Sequence, residues 1–114
     1  MGTAGYIGSD EAPTREAVDK MPGLVLLEFG TDWCGFCRAA QPLVAGLLRD
    51  HPTVRHLKVE DGSGRPLGRS FRVRLWPNFV LLKDGVVVRQ LARPGADELR
   101  QAFETLKGPS DPRA

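Results

Sequence analysis

The chain holds two cysteines, three positions apart, and they stand where an apolar run gives way to a helical pattern. The run Leu24-Val25-Leu26-Leu27-Glu28-Phe29 carries a single charge, so it reads as a strand buried on both faces. Trp33-Cys34-Gly35-Phe36-Cys37-Arg38 comes next. Beyond it Ala40, Leu43, Val44, Leu47 and Leu48 recur at three- and four-residue spacing, which marks one face of a helix. A Cys-x-x-Cys at such a junction sets the first thiol among the unpaired N–H groups of a helix start, which favour an anion, with the second thiol one turn away.

The remaining punctuation extends this unit into an α/β order. Residues Ala4 to Gly8 suit a short edge strand, and Asp10-Glu11-Ala12-Pro13 suits a helix start, acidic with proline in the first turn. That helix is expected to reach Lys20 or Met21, where Pro22-Gly23 stops it. Pro42 inside the second helix predicts a kink, and His51-Pro52 ends that helix. Thr53 to Glu60 predicts a strand, Pro66 to Phe71 a short helix, and Phe79 to Leu82 another strand. Asp84-Gly85 predicts a tight hairpin turn returning through Val86-Val87-Val88 to Leu91. Ala96 to Leu106 completes the pattern with Leu99, Ala102, Phe103 and Leu106 on one helical face. The order implies a mixed sheet with helices on both faces, formed by one domain over residues 1–107, with a frayed tail over 108–114.

Composition narrows the function classes. A chain of 114 residues that is 41% hydrophobic and 26% charged is neither disordered nor membrane-embedded in character. A net charge of +2 gives no basis for nucleic-acid binding, and no apolar run approaches the roughly 18 residues of a membrane span. The first residues lack the basic and apolar parts of a secretion signal, so a cytoplasmic location is expected, where a Cys-x-x-Cys is more often catalytic or metal-binding than structural.

Taken together, Trp33-Cys34-Gly35-Phe36-Cys37-Arg38, Pro42 in the helix, Trp76-Pro77 before a strand and the Asp84-Gly85 hairpin resemble the thioredoxin family over residues 4 to 107. The resemblance implies a sheet of about five strands flanked by about four helices. It implies that Cys34 is an exposed nucleophile and Cys37 a buried resolving thiol, that Glu28 is the acid beneath them, and that Pro77 is cis and faces the dithiol. Trp76 would present backbone to an extended substrate, with Trp33, Gly35 and Phe36 completing the binding surface. Several positions depart from the family pattern. Phe36 stands where reducing members carry proline, and Glu28 where aspartate is common. Gly30 replaces an aromatic residue after the central-strand phenylalanine, and His56 holds the place of a lysine.

Such a pair predicts reduction of protein disulfides. The Cys34 thiolate attacks, a mixed disulfide forms, and Cys37 resolves it. Glu28, the one acid in the apolar strand, is the candidate acceptor of the Cys37 proton, for which a raised pKa is expected. No metal or tightly bound cofactor is called for; a reductase or small thiol would return the electrons, and a monomer is expected. Three other readings exist: a glutathione-linked, glutaredoxin-like transferase, a non-catalytic binding module, and a zinc site from Cys34, Cys37, His51 and His56. The last has finger-like spacing, but Pro52 breaks the helix that would have to carry both histidines.

Overall fold

The computed structural model describes residues 5–8 and 10–107. Residues 1–4, with Ala4 of the expected edge strand among them, residue 9 and the tail over 108–114 lie outside the described residues. The elements are α1 (Arg15–Asp19), β1 (Leu24–Gly30), α2 (Gly35–Asp50), β2 (Arg55–Glu60), α3 (Pro66–Ser70), β3 (Asn78–Lys83), β4 (Val86–Ala92) and α4 (Ala96–Lys107).

The four strands form one sheet in the order β2-β1-β3-β4. β1 pairs parallel with β2 and antiparallel with β3, and β3 pairs antiparallel with β4. Among the described residues, the fifth strand expected at the N-terminus shows one parallel bridge, Ile7 to Val59, held by Ile7 N–H to the Lys58 carbonyl at 2.8 Å and Glu60 N–H to the Ile7 carbonyl at 2.9 Å. β4 carries one more residue than β3 opposite Leu81 and Leu82, because Leu81 pairs with Arg89 and Leu82 with Val87, leaving Val88 as a bulge.

Alternation along β1 builds two cores. Leu26 packs with Phe79 and Leu81 against Val44 and Leu47 of α2 and Leu99 and Phe103 of α4. Val25, Leu27 and Phe29 face the other way, toward Val18 of α1, Leu67 of α3 and Phe71 at its C-cap. Glu28 and Gly30 share the parity of Leu26, so they lie beneath the start of α2. This arrangement places an acid and a gap directly under the cysteine pair.

Two elements differ from the sequence expectation. α1 starts at Arg15, because Thr14 is its cap: its backbone is extended and its side chain accepts the Ala17 N–H at 3.0 Å. Asp10 to Pro13 therefore precede the helix, in a turn closed by Glu11 and Ala12 N–H groups on the Gly8 carbonyl. β2 begins at Arg55, since Val54 N–H bonds back to the His51 carbonyl in a turn around Pro52. α2 runs through Pro42 without interruption. The Asp84-Gly85 turn joins β3 to β4 with both residues at positive φ, and it is anchored to the chain ahead of β1 by Gly23 N–H on the Asp84 carboxylate at 2.7 Å.

Candidate active site

Cys34 is the N-cap of α2. Its extended backbone turns the sulfur toward the first helical N–H groups, and Sγ accepts the Cys37 N–H at 3.1 Å. Cys37, one turn along, is hydrogen-bonded through its own side chain to Cys34, so the two sulfurs are neighbours. The expected exposed nucleophile is more enclosed than anticipated: Cys34 retains 7% of its accessible surface and Cys37 none. Of the two cysteines, only Cys34 keeps any accessible surface. Trp33 and Phe36, 72% and 59% exposed, stand on either side of it in the chain. A Cβ on Gly35 would meet nothing within 4 Å, so the backbone between them faces open space.

The bond Trp76-Pro77 is cis. Trp76 meets Trp33 edge to face, and its indole N–H donates to Asp61 Oδ2 at 2.9 Å. Arg93 ties the same loop down: its Nε donates to the Trp76 carbonyl at 2.7 Å, its backbone N–H to the Pro77 carbonyl at 2.8 Å, and its guanidinium lies 3.9 Å from the Phe36 ring centroid. One hollow of about 320 Å³ is lined by Phe36, Leu43, Pro77 and Arg93. A second, of about 500 Å³, is lined by Trp76, Asp61, Arg69, Arg72 and Arg74.

Beneath the cysteines Glu28 is fully buried. Its carboxylate receives the Tyr6 hydroxyl at 2.7 Å and Gln41 Nε2 at 2.8 Å on Oε2, with His56 Nε2 2.8 Å from Oε1. Burial pushes the carboxyl up, yet the bonds from His56, Tyr6 and Gln41 outweigh it and leave Glu28 below the ordinary glutamate value. The raised value expected from an apolar strand is thereby corrected, because hydrogen-bond donors from three other elements converge on the acid. Burial pushes the Cys37 thiol up to about 11, and its bond with Cys34 acts in the same sense.

The sequence reading missed Tyr6, Gln41 and Lys58. Gln41 bridges the site, donating to Glu28 and to the Cys37 carbonyl while accepting from Lys58 Nζ at 3.1 Å. Its position one helical turn beyond Cys37 is a usable signal. Tyr6 has no local signal, since it lies far from the motif, but Gly30 points to it indirectly. A Cβ on Gly30 would sit 2.5 Å from Cys37 Sγ and 2.8 Å from the Tyr6 hydroxyl, so the tyrosine fills the space a side chain at position 30 would take.

The zinc set does not converge. His51 packs on Phe103 at the far end of α2 with Nδ1 on the Leu47 carbonyl, whereas His56 lies at Glu28.

The family model for thioredoxin matches residues 9–105. The chain belongs to the thioredoxin family. Its structure superposes on the reduced form of thioredoxin 2 from Pseudomonas aeruginosa PAO1 with a TM-score of 0.80 and 57% identity, covering 92% of this chain and 96% of that one. It is similar to thioredoxin from Fasciola hepatica, at TM-score 0.69 and 28% identity, over 78% of this chain and 86% of the other. A thioredoxin H-type from Ricinus communis is 33% identical over 71% of this chain and 69% of its own length. The chain spans 46% of the chloroplastic thioredoxin F of Oryza sativa subsp. japonica, also at 33% identity. As a thioredoxin-family protein with its dithiol pair in place, the chain is a protein thiol–disulfide oxidoreductase.

Proposed function

We propose that this thioredoxin-family protein reduces disulfides of other proteins in the cytoplasm as a monomer, with Cys34 as the attacking thiolate, Cys37 as the resolving thiol and Glu28 as the final proton acceptor. The difference in access between the two sulfurs carries the assignment of roles: only Cys34 has any surface open to a partner, and Cys37 is fully covered yet bonded to it.

The exchange balances as follows. Cys34 S⁻ displaces one sulfur of the substrate disulfide, which leaves as a thiolate and takes a proton from water. Cys37 loses its proton, attacks Cys34 Sγ and releases the second substrate sulfur. The substrate gains two electrons and the enzyme holds a Cys34–Cys37 disulfide, which a reductase or small thiol then reduces.

Trp33, Gly35, Phe36, Trp76 and Pro77 form the substrate surface. The hollow with Arg69, Arg72 and Arg74 on the Trp76 side favours a substrate segment carrying an acidic residue next to its cysteine. Neither a nucleic acid nor a membrane is a partner in this reading.

Cys34→Ser is expected to abolish turnover of insulin disulfides, and Cys37→Ser to accumulate mixed disulfides. Turnover in the first variant, or absence of trapped partners in the second, contradicts the roles. Equilibration with a glutathione couple tests the direction: a potential below that of the couple is required for a reductant.

A further inference from the structure

Cys37 must lose a proton when it attacks, yet it is fully buried and no water path is needed to reach a base. Tyr6 stands between the thiol and Glu28. Its hydroxyl donates to Glu28 Oε2 at 2.7 Å. The Tyr6 hydroxyl also interacts with the Cys37 side chain, in the sense that eases loss of the thiol proton. Both the hydroxyl and the sulfur lie within 3 Å of one point, the place where Gly30 lacks a Cβ. A hydroxyl that gives its hydrogen to a carboxylate keeps lone pairs free to take a proton from a neighbouring group such as the Cys37 thiol.

We propose that the Tyr6 hydroxyl relays the Cys37 proton to Glu28 while Cys37 resolves the mixed disulfide. Rested on the assignment of Glu28 above, the step is a paired transfer. As the Cys37–Cys34 S–S bond forms and the Cys34–substrate bond breaks, the proton on Cys37 passes to Tyr6 Oη, and the proton already on Oη passes to Glu28 Oε2. Tyr6 ends as it began, Glu28 becomes neutral, and its proton then leaves to solvent.

The energetics favour a concerted course. Burial beside the Glu28 charge raises the tyrosine far above its ordinary value, so no free tyrosinate forms. Transfer from a resting thiol near 11 to an acid below the ordinary glutamate value is uphill. Once sulfur begins to bond to sulfur its proton becomes strongly acidic, and a weak carboxylate base is then sufficient. The other charged groups facing the tyrosine are Lys58, whose ammonium is 4.5 Å from the ring centroid, His56 across Glu28, and Asp32, which accepts the Tyr6 backbone N–H at 3.3 Å.

The test is stopped-flow reaction of the reduced protein with dithiobis(nitrobenzoate). The first release of thionitrobenzoate reports attack by Cys34, and the second reports resolution by Cys37. Tyr6→Phe keeps the ring and removes the relay. It is expected to slow the second phase relative to the first by on the order of 100-fold near neutral pH, and to converge on the wild-type rate as pH approaches 11, where Cys37 ionises unaided. Recovery at high pH also shows that the variant is folded. The combined variant Tyr6→Phe/Glu28→Gln is expected to be no slower than Glu28→Gln alone.

An unchanged second phase in Tyr6→Phe with a slow one in Glu28→Gln overturns the relay and leaves Glu28 in place. An unchanged second phase in Glu28→Gln overturns both. Multiplying effects in the combined variant, or slowing that persists to pH 11, also overturn the relay.

Discussion

Trp33, the residue before Cys34, and Trp76, the residue before cis Pro77, meet edge to face, with ring centroids 5.7 Å apart and planes inclined at 74°. One arrives just ahead of the cysteine pair and the other from the loop before β3, so the contact joins residues 43 positions apart in the chain. Trp76 is held in turn by Asp61. Trp76→Ala is expected to raise KM for insulin reduction about 10-fold through lost aromatic contact, an effect of about 1.4 kcal/mol. Reaction with dithiobis(nitrobenzoate), which needs no groove, is expected to change far less. Equal losses on both substrates would refute a role in gripping proteins.

The buried Cys37 thiol makes the reduced protein sensitive to alkali. Its folded-state pKa is raised from about 9 to about 11, so the folded state keeps a proton that the unfolded chain gives up. Stability is therefore fully present below about pH 9, declines as pH rises, and levels off past about pH 11, a loss of about 3 kcal/mol from this group. Urea titrations across that range are expected to show the decline, and Cys37→Ala to make it shallower. Tyr6, also raised, contributes a decline of the same sign that remains in that variant.

Glu28 acts in the opposite direction. Its folded-state pKa is depressed by the bonds from His56, Tyr6 and Gln41 despite burial, so it stabilises the fold above the unfolded glutamate pKa and that contribution fades as pH falls through the folded value. Thermal melts are expected to show an acid limb that is shallower in Glu28→Gln. A limb unchanged by the substitution would mean other carboxylates carry it.

Gly30 is a further point of control. Alanine there would drive its Cβ to 2.5 Å from the Cys37 sulfur and 2.8 Å from the Tyr6 hydroxyl. Gly30→Ala is expected to destabilise the protein by about 1–3 kcal/mol, the ordinary cost of overfilling a packed site. Combined with Tyr6→Ala it should recover part of that loss, because the two side chains compete for one space; strict additivity in a double-mutant cycle would disprove the competition.

Much of this architecture was readable because its signals are local. The unbroken apolar character of β1, the Asp84-Gly85 turn and the helical spacing of α2 and α4 each arise within one element. The cysteines were legible for the same reason: their spacing and the helix start coincide. The start of α1 misled because Asp10 to Pro13 offers a start signal, while Thr14 wins by making the actual side-chain cap. Around Glu28 the decisive contacts are long-range. Tyr6, Gln41 and His56 reach it from an edge bridge, a helix and a neighbouring strand, and no spacing rule joins them. The carboxylate's depressed value follows from that convergence, so reasoning from an apolar strand alone had its direction reversed.

The displaced valine of β4 matters for life in a crowded solution. Val86, Val87 and Val88 lie partly uncovered on the outermost strand beside β3, the sort of segment onto which another copy could zip and begin a fibre. The additional residue throws the strand out of step, so a flat copy cannot stay in phase past Val88. Deleting Val88 would straighten that margin and leave the edge more open to such pairing.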